Sequence, residues 1–288
     1  MNRKCTHMWV AVCFICVLIT ANSLCEIING RFELYDYSEV FDFNTPTYWQ
    51  RENYTAVVSH FVPNPVSGGF PSAWQINPQN GLYPYQGDSF LVLSTGNFVP
   101  DPQYAKVWQN ITVAGGDKLI GTYFFGTCDY LRFDDYAEIK LIPFPPDLNR
   151  VTIEVLRISV ADVNNYGSTR GWQKFGYTFD ANQAGDYSLT ISVTDLVDPI
   201  FETYFAVDSI VLCQESTDFG DFNLDCTTDF QDFALLAADW MKNCNDPNVF
   251  NDPNSNCRYG TDITQNGPID ANDLGFISDC WLKGIRQP

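Results

Sequence analysis

Histidine, positive charge and long apolar runs are all scarce in this 288-residue chain. It has two histidines, and only His60 lies beyond the first 25 residues. A histidine-rich zinc site is thereby excluded, and any Ser-His-Asp machine would have to be built on His60. Lys and Arg number 16 against 35 Asp and Glu, a net charge of −19. Such a chain repels nucleic acid and anionic membrane surfaces, so neither is expected as a partner. Charged residues are 18% and aromatics 15%, which supplies apolar area for a core and argues against global disorder. One apolar run, "MWVAVCFICVLIT" (8–20), follows Arg3 and Lys4 and precedes the small residues of "ANSLCE". It is short for a bilayer span and reads as a signal peptide over 1–25, with no second run behind it, so a secreted or cell-surface protein is expected. The six remaining cysteines, Cys128, Cys213, Cys226, Cys244, Cys257 and Cys280, contain no CxxC pair. An even number in an oxidising compartment points to disulfides.

What is present divides into two unlike parts. Residues 26–213 alternate apolar and polar side chains in short runs such as "KVWQNITV" (106–113), "YAEIKLI" (136–142) and "DYSLTISVTD" (186–195), broken by "AGG", "PFPPD" and "NQAGD". Period-2 runs between turn residues predict an all-β sandwich. Residues 214–288 turn rich in Asp and Asn, and two helical patterns appear there. Phe233, Leu236, Ala237 and Trp240 define one apolar face; Leu274, Ile277 and Trp281 define another.

This second part is an internal repeat. "DFNLDCTTDFQDFALLAADWM" (221–241) aligns without a gap on "DITQNGPIDANDLGFISDCWL" (262–282), an offset of 41 residues. Each copy has the oxygen spacing of a calcium loop, which draws ligands from positions 1, 3, 5, 7, 9 and 12. In the first these are Asp221, Asn223, Asp225, Thr227 (by its carbonyl), Asp229 and Asp232. In the second they are Asp262, Thr264, Asn266, Pro268 (by its carbonyl), Asp270 and Asp273. Position 6 turns sharply and favours glycine; Gly267 complies, whereas Cys226 must be held at positive φ at a cost of about 1–2 kcal/mol. The simpler reading of each copy is an acidic turn in which Asp232 or Asp273 caps a helix. Two copies at one spacing, each running into an amphipathic helix, favour calcium.

Two such repeats, with Asp232 and Asp273 rather than Glu at position 12, resemble the dockerin domain. The resemblance covers about residues 218–284. It implies a small α-helical calcium-loop domain and a partner, the cohesin domain of a scaffold or surface protein. Family positions facing the cohesin fall on Phe230, Gln231, Ala237, Ala238 and Lys242, and on Ala271, Asn272, Ser278, Asp279 and Lys283. Cys244 and Cys257 bracket a long connector, and a bridge between them would contribute about 3 kcal/mol. Antiparallel helices would bring the start of the first near the end of the second, which suggests Cys226–Cys280 and leaves Cys128–Cys213 for the sandwich.

In the first part, "INGRFELYD" and "YFAVDSIVL" resemble the first and last strands of galactose-binding-like jelly rolls, an architecture shared by many carbohydrate-binding modules. The resemblance implies a structural calcium held by Glu33 and Asp208. Sugar rings are commonly bound by exposed aromatics. Trp49, Trp74, Trp108 and Trp172 are candidates, and Trp74, Tyr83 and Tyr85 are favoured because Pro, Gly and Asn surround them. Asp134 and Asp135 are sequence neighbours, which is no evidence of a glycosidase pair. The expectation is a secreted, non-catalytic, two-domain protein: a glycan-binding jelly roll followed by a calcium-dependent docking domain. A polysaccharide-degrading enzyme, or a structural or adhesive surface protein, is the alternative.

Overall fold

The computed structural model describes residues 27–38, 43–63, 73–76, 81–96, 103–146, 150–197, 200–214, 220–250, 252 and 254–281. Residues 1–25, where a signal peptide is expected, Lys283 and the side chains of Asp279 and Cys280 lie outside that set. Two antiparallel sheets face each other. The larger contains, in spatial order, β1 (Tyr35–Ser38), β2 (Phe43–Pro46), β4 (Thr55–Val58), β5 (Phe90–Ser94), β12 (Thr203–Cys213), β7 (Lys118–Thr127) and β10 (Gln173–Thr178). The smaller contains β3 (Gln50–Glu52), β6 (Tyr104–Val113), β11 (Gly185–Thr194), β8 (Tyr136–Pro143) and β9 (Ile153–Ser159). A single-turn helix, α1 (Val160–Val163), follows β9.

The two sheets differ in what covers them, and the sequence pattern follows. In β6, Ala105, Val107, Ile111 and Val113 point into the sandwich while Tyr104, Asn110 and Thr112 are exposed. That alternation is what one packed and one solvated face require. β7 and β12 are buried along almost their whole length. Leu119, Phe125, Phe205 and Val207 join the core between the sheets. Ile120, Phe124 and Ala206 on the opposite face join a second core with Trp74, Leu82, Tyr85, Trp172 and Leu224. The larger sheet is therefore sandwiched twice, once by the smaller sheet and once by loops and the start of the C-terminal segment.

That segment contains α2 (Phe230–Ala238), α3 (Pro247–Phe250) and α4 (Ala271–Cys280) around a small core of Phe222, Leu236, Ile269 and Ile277. The predicted apolar face of α2 is corrected. Leu236 is buried, but Phe233, Ala237 and Trp240 are exposed, and the inward stripe is Asp232, Leu236 and, just beyond the helix, Asp239. Asp239 is kept inside by hydrogen bonds from Ser255 Oγ (2.8 Å) and the Asn256 N–H, and by Lys242 at 2.7 Å. Polar anchoring replaces an apolar seam because the connector covering this side presents donors rather than methyl groups.

Two of the three expected disulfides are not those observed. Cys244–Cys257 forms, but Cys226 bonds Cys213 at the end of β12, and Cys128 is a buried free thiol. Burial and the neighbouring Glu202 and Asp129 push the Cys128 thiol up to about 12, so it packs as an apolar group. The helix geometry behind the Cys226–Cys280 expectation holds, since Phe230 meets Trp281 edge-on at 4.9 Å. However, the loop carrying Cys226 is turned toward the sandwich, where Cys213 waits. Closing the 13-residue separation should contribute about 3 kcal/mol. Cys226 sits at φ 71°, so Cys213→Ser with Cys226→Gly should cost only about 2 kcal/mol, glycine relieving about 1. Denaturant unfolding would check this, and no loss of stability would contradict it.

Candidate functional site

Three places on the molecule have the chemistry of a site. The first is the pair of C-terminal loops, which repeat one hydrogen-bond scheme position by position. Asp221 accepts from the N–H groups of Asp225 (3.1 Å) and Cys226 (3.0 Å), as Asp262 does from Asn266 (3.1 Å) and Gly267 (2.9 Å). Asp232 accepts from Asn223 (3.1 Å) and Asp229 (2.9 Å), as Asp273 does from Thr264 (3.0 Å) and Asp270 (2.9 Å). The N-caps are Asp229 and Asp270, not Asp232 and Asp273, which sit one turn inside and close the capping boxes. Position 6 has positive φ in both loops, 71° at Cys226 and 103° at Gly267. Thr227 and Pro268 occupy the matching position 7. Ile269 is buried, and its backbone pairs with Met241 and Lys242.

The first loop concentrates negative charge, offset only in part by Lys174. Asp221 is pushed up to about 7 by burial first, then by Asp232 and Asp225; Asp232 is likewise raised, chiefly by burial. Among the described residues no Lys or Arg forms an ion pair with any loop carboxylate. A hard dication fits such a donor set, with Asn223, Thr264, Asn266 and two carbonyls completing the oxygens. Among the described residues no three His, Cys, Asp or Glu side chains already form a metal cage, in keeping with carboxylates turned to backbone N–H groups and a ligand set only partly acidic.

A pH dependence follows. An unfolded aspartate titrates near 4, so the folded Asp221 holds its proton more tightly, and metal-free stability falls as pH rises from about 4 to about 7. Lys174 acts in a separate window. Burial lowers it to about 8 from an unfolded value of roughly 10.4, so it adds stability only as pH rises above about 8. The melting temperature of chelated protein should therefore fall between about pH 5 and pH 7.5, and Asp221→Asn should flatten that slope. A flat or rising profile in the parent chain would contradict this.

The sandwich grips this loop. Lys174 Nζ donates to the Asp221 carbonyl (3.3 Å), Tyr85 Oη to that of Phe222 (2.9 Å), and Gln86 Nε2 to that of Asn223. Three consecutive carbonyls and the Cys226 disulfide thus fix the first loop to the larger sheet; among the described residues the sandwich makes no such grip on the second. The same 85–89 turn serves Glu33 and Asp208, the second place. Glu33 accepts from Asp88 N–H (2.9 Å) and Ser89 Oγ (3.2 Å), and Asp208 from Gln86 N–H (3.0 Å). Gly87, at φ 67°, lies so close to Glu33 that a Cβ would stand 1.8 Å from Oε1. Burial, then the charge of Glu33, raises Asp208 well above the usual carboxylate range against the N–H groups that lower it. The turn brings together the two acids expected to hold a structural ion, and a buried carboxylate offset only by neutral N–H and hydroxyl donors, beside a second acid, fits a cation.

Of the aromatics favoured for sugar binding, two are corrected. Trp74 is 5% and Tyr85 0% exposed. Both side chains turn onto the larger sheet and its neighbours, where Trp74 Nε1 donates to Thr127 O (2.9 Å) and Tyr85 Oη to the C-terminal segment. Trp49 and Trp172 are also buried. Tyr83 is half-exposed and stacked on His60 at 4.4 Å. Asp134 and Asp135 serve separate structural bonds, to Ala161 N–H and to Thr203 Oγ1 and Leu196 N–H.

The third place is the outward face of the smaller sheet. Register puts Gln50, Trp108, Thr190, Lys140 and Glu154 in one row, and Glu52, Lys106, Ser192, Glu138 and Arg157 in the next. Tyr104, Thr194 and Tyr136 form a third row. Across these three rows the central strand β11 carries only hydroxyls outward, while both neighbours carry long or aromatic side chains. Thr190 and Ser192 face outward yet are 9% and 8% exposed, so they form the floor of a trough. Its walls stand about 10 Å apart, two strand spacings. Lys106 lies 4.7 Å over Trp108 and Arg157 3.7 Å over Tyr136, and Glu138 pairs with Lys140 and Arg157. Aromatic faces, hydroxyls and charged donors in one groove can take a flat, hydroxyl-rich ligand. Trp108 was within reach of the sequence, because it shares parity with Lys106 and Asn110 in an alternating strand.

On the C-terminal segment, the expected partner-facing residues Phe230, Gln231, Ala237, Ala238, Ala271, Asn272 and Ser278 are exposed, while Lys242 is half-buried in its ion pair with Asp239. Phe230 and Met241 are 74% and 72% exposed. With Phe233, Ala234 and Ala237 they form an uncovered apolar stripe along α2.

No family model matches the chain, and no curated protein matches it. Among solved structures, similarity is found to TmCBM61 in complex with beta-1,4-galactotriose, at 13% identity and a TM-score of 0.37, covering 66% of this chain and 97% of that one. The K3 cleaved adhesin domain of Lys-gingipain from Porphyromonas gingivalis w83 is similar at 12% identity, TM-score 0.34, over 65% and 96%. The C-terminal family 22 carbohydrate-binding module of Clostridium thermocellum Xyn10B is similar at 9%, TM-score 0.32, over 66% and 98%. Likeness this distant transfers no ligand and no activity.

Proposed function

We propose that the protein is a non-catalytic, extracellular adaptor. Its sandwich holds a polysaccharide along the β11 trough, and its C-terminal segment binds calcium and docks onto a cohesin-type partner through the exposed stripe of α2. Calcium would be held by Asp221, Asn223, Asp225, Thr227, Asp229 and Asp232, and by Asp262, Thr264, Asn266, Pro268, Asp270 and Asp273. Glu33 and Asp208 would hold a structural calcium in the sandwich. Bound calcium supplies charge neutralisation and cross-linking of loop to helix, and no chemistry on a substrate is required.

The observation carrying this reading is the shared hydrogen-bond scheme of the two loops, which aims carboxylates of positions 1 and 12 inward in both copies. The α2 stripe supports docking, since monomeric proteins seldom leave contiguous aromatic surface uncovered. The trough supports glycan binding. The test is retention of the mature protein on immobilised cohesin domains with calcium and with chelator, beside a polysaccharide panel. Calcium-dependent capture that is lost in Phe230→Asp, with the fold unchanged by circular dichroism, supports docking. Capture indifferent to calcium counts against it. Turnover of any polysaccharide would favour the enzyme alternative.

A further inference from the structure

A cleft of about 510 Å³ opens where β10, an edge strand, meets the C-terminal segment. Its size is that of small-ligand sites, roughly 300–1,000 Å³. Arg170, Gln173 and Lys174 line it from the sandwich; Asn245, Phe250 and Gln265 line it from the other side. On a chain of net charge −19, two cations side by side are a local exception. Among the described residues neither Arg170 nor Lys174 is within ion-pair distance of a carboxylate. Asp262 also lines the cleft, but its carboxylate is turned to the N–H groups of Asn266 and Gly267.

Both cations are held in place by neutral acceptors. Arg170 donates to Cys244 O (2.6 Å) and Asn245 Oδ1 (3.2 Å), with its guanidinium 4.5 Å over the Phe250 ring. Those bonds use two of five N–H donors and fix the plane of the rest. Lys174 gives one bond to Asp221 O, and its ammonium carries three donors. A pre-oriented guanidinium beside an ammonium suits one planar carboxylate. The amides of Gln173, Asn245 and Gln265 suit hydroxyls. The guanidinium occupies the Phe250 face, so a nucleobase has nothing to stack on there, and the net negative charge with Asp262 disfavours a polyanion.

We propose that this cleft is a second saccharide site, selective for a sugar that bears a carboxylate. It is separate from the β11 trough and does not depend on it. The experiment is calorimetric titration of the full mature chain with methyl glycosides of galacturonic and glucuronic acid, against those of galactose and glucose. The acidic member of at least one pair should bind at least tenfold more tightly. Asn245→Asp keeps the acceptor for Arg170 and adds a carboxylate, and should weaken that binding at least fivefold without changing the melting temperature. Lys174→Gln should weaken it comparably, here with a change in melting temperature because the bond to Asp221 O is altered too, and Trp108→Ala should leave it unaltered. Equal binding of acidic and neutral sugars would overturn the proposal, as would indifference to Asn245→Asp. So would acetate binding as tightly as the uronosides, which would mean a bare anion hole. Loss of binding in Trp108→Ala would place the ligand on the open sheet face and overturn it too.

Discussion

Chelating calcium from the mature chain should lower the melting of its C-terminal segment by roughly 15–30 °C while the sandwich transition moves far less. The magnitude follows from mass action. A site at a thousandfold excess of free ion over its dissociation constant stabilises the fold by about 4 kcal/mol, and about 1 kcal/mol moves a small domain by 4–8 °C. The apolar core there is small, centred on Phe222, Leu236, Ile269 and Ile277, so bound ions would add a large share of its stability beside the two disulfides. The two loops should not respond alike. The first is fixed by Lys174, Tyr85, Gln86 and the Cys213–Cys226 bridge, whereas the second depends on its own contacts. Asp273→Asn should therefore cost more calcium-dependent stability than Asp232→Asn. Calorimetric scans with and without chelator would decide it, and superimposable scans would contradict the calcium reading.

Trp108→Ala and Tyr136→Ala should each weaken binding to the retained polysaccharide by about 10–100-fold, about 1.4–2.8 kcal/mol, as expected for aromatic anchors. Both rings stand on the walls of the β11 trough and outside the core, so stability should change by no more than about 0.5 kcal/mol. Lys106→Ala is the informative partner. Lys106 lies over the Trp108 ring, and removing it frees the ring face, so binding should hold or improve. Full retention by the Trp108 and Tyr136 variants would remove the trough from the account.

How much of this was legible in the sequence depends on how local each signal is. The alternating strands were readable because the smaller sheet has one dry and one wet face. The loop-helix repeat was readable because the spacing within each copy is a property of one short segment. Cys244–Cys257 likewise closes a local loop. Two misreadings share one cause, the contact between sandwich and C-terminal segment, which sequence spacing does not encode. That contact buries Tyr85 and turns Cys226 toward Cys213, whereas the inward face of α2 follows from the connector that anchors Asp239. Trp74 was misjudged for a related reason. Turn residues flank it in sequence, but the Trp74 side chain itself packs into the second core. The trough emerged only with register, because its floor and walls come from three strands far apart in sequence.

The most direct test of the central claim is a calorimetric titration of calcium into the full mature chain, counted against Asp232→Asn and Asp273→Asn. The full chain is required because Tyr85, Gln86 and Lys174 belong to the first loop's surroundings as much as Asp221 does. The account predicts two sites lost one at a time in the two variants, with any further site at Glu33 and Asp208 persisting in both. Heat that is absent, or unchanged in both variants, would contradict it and leave the repeat as a pair of acidic helix caps.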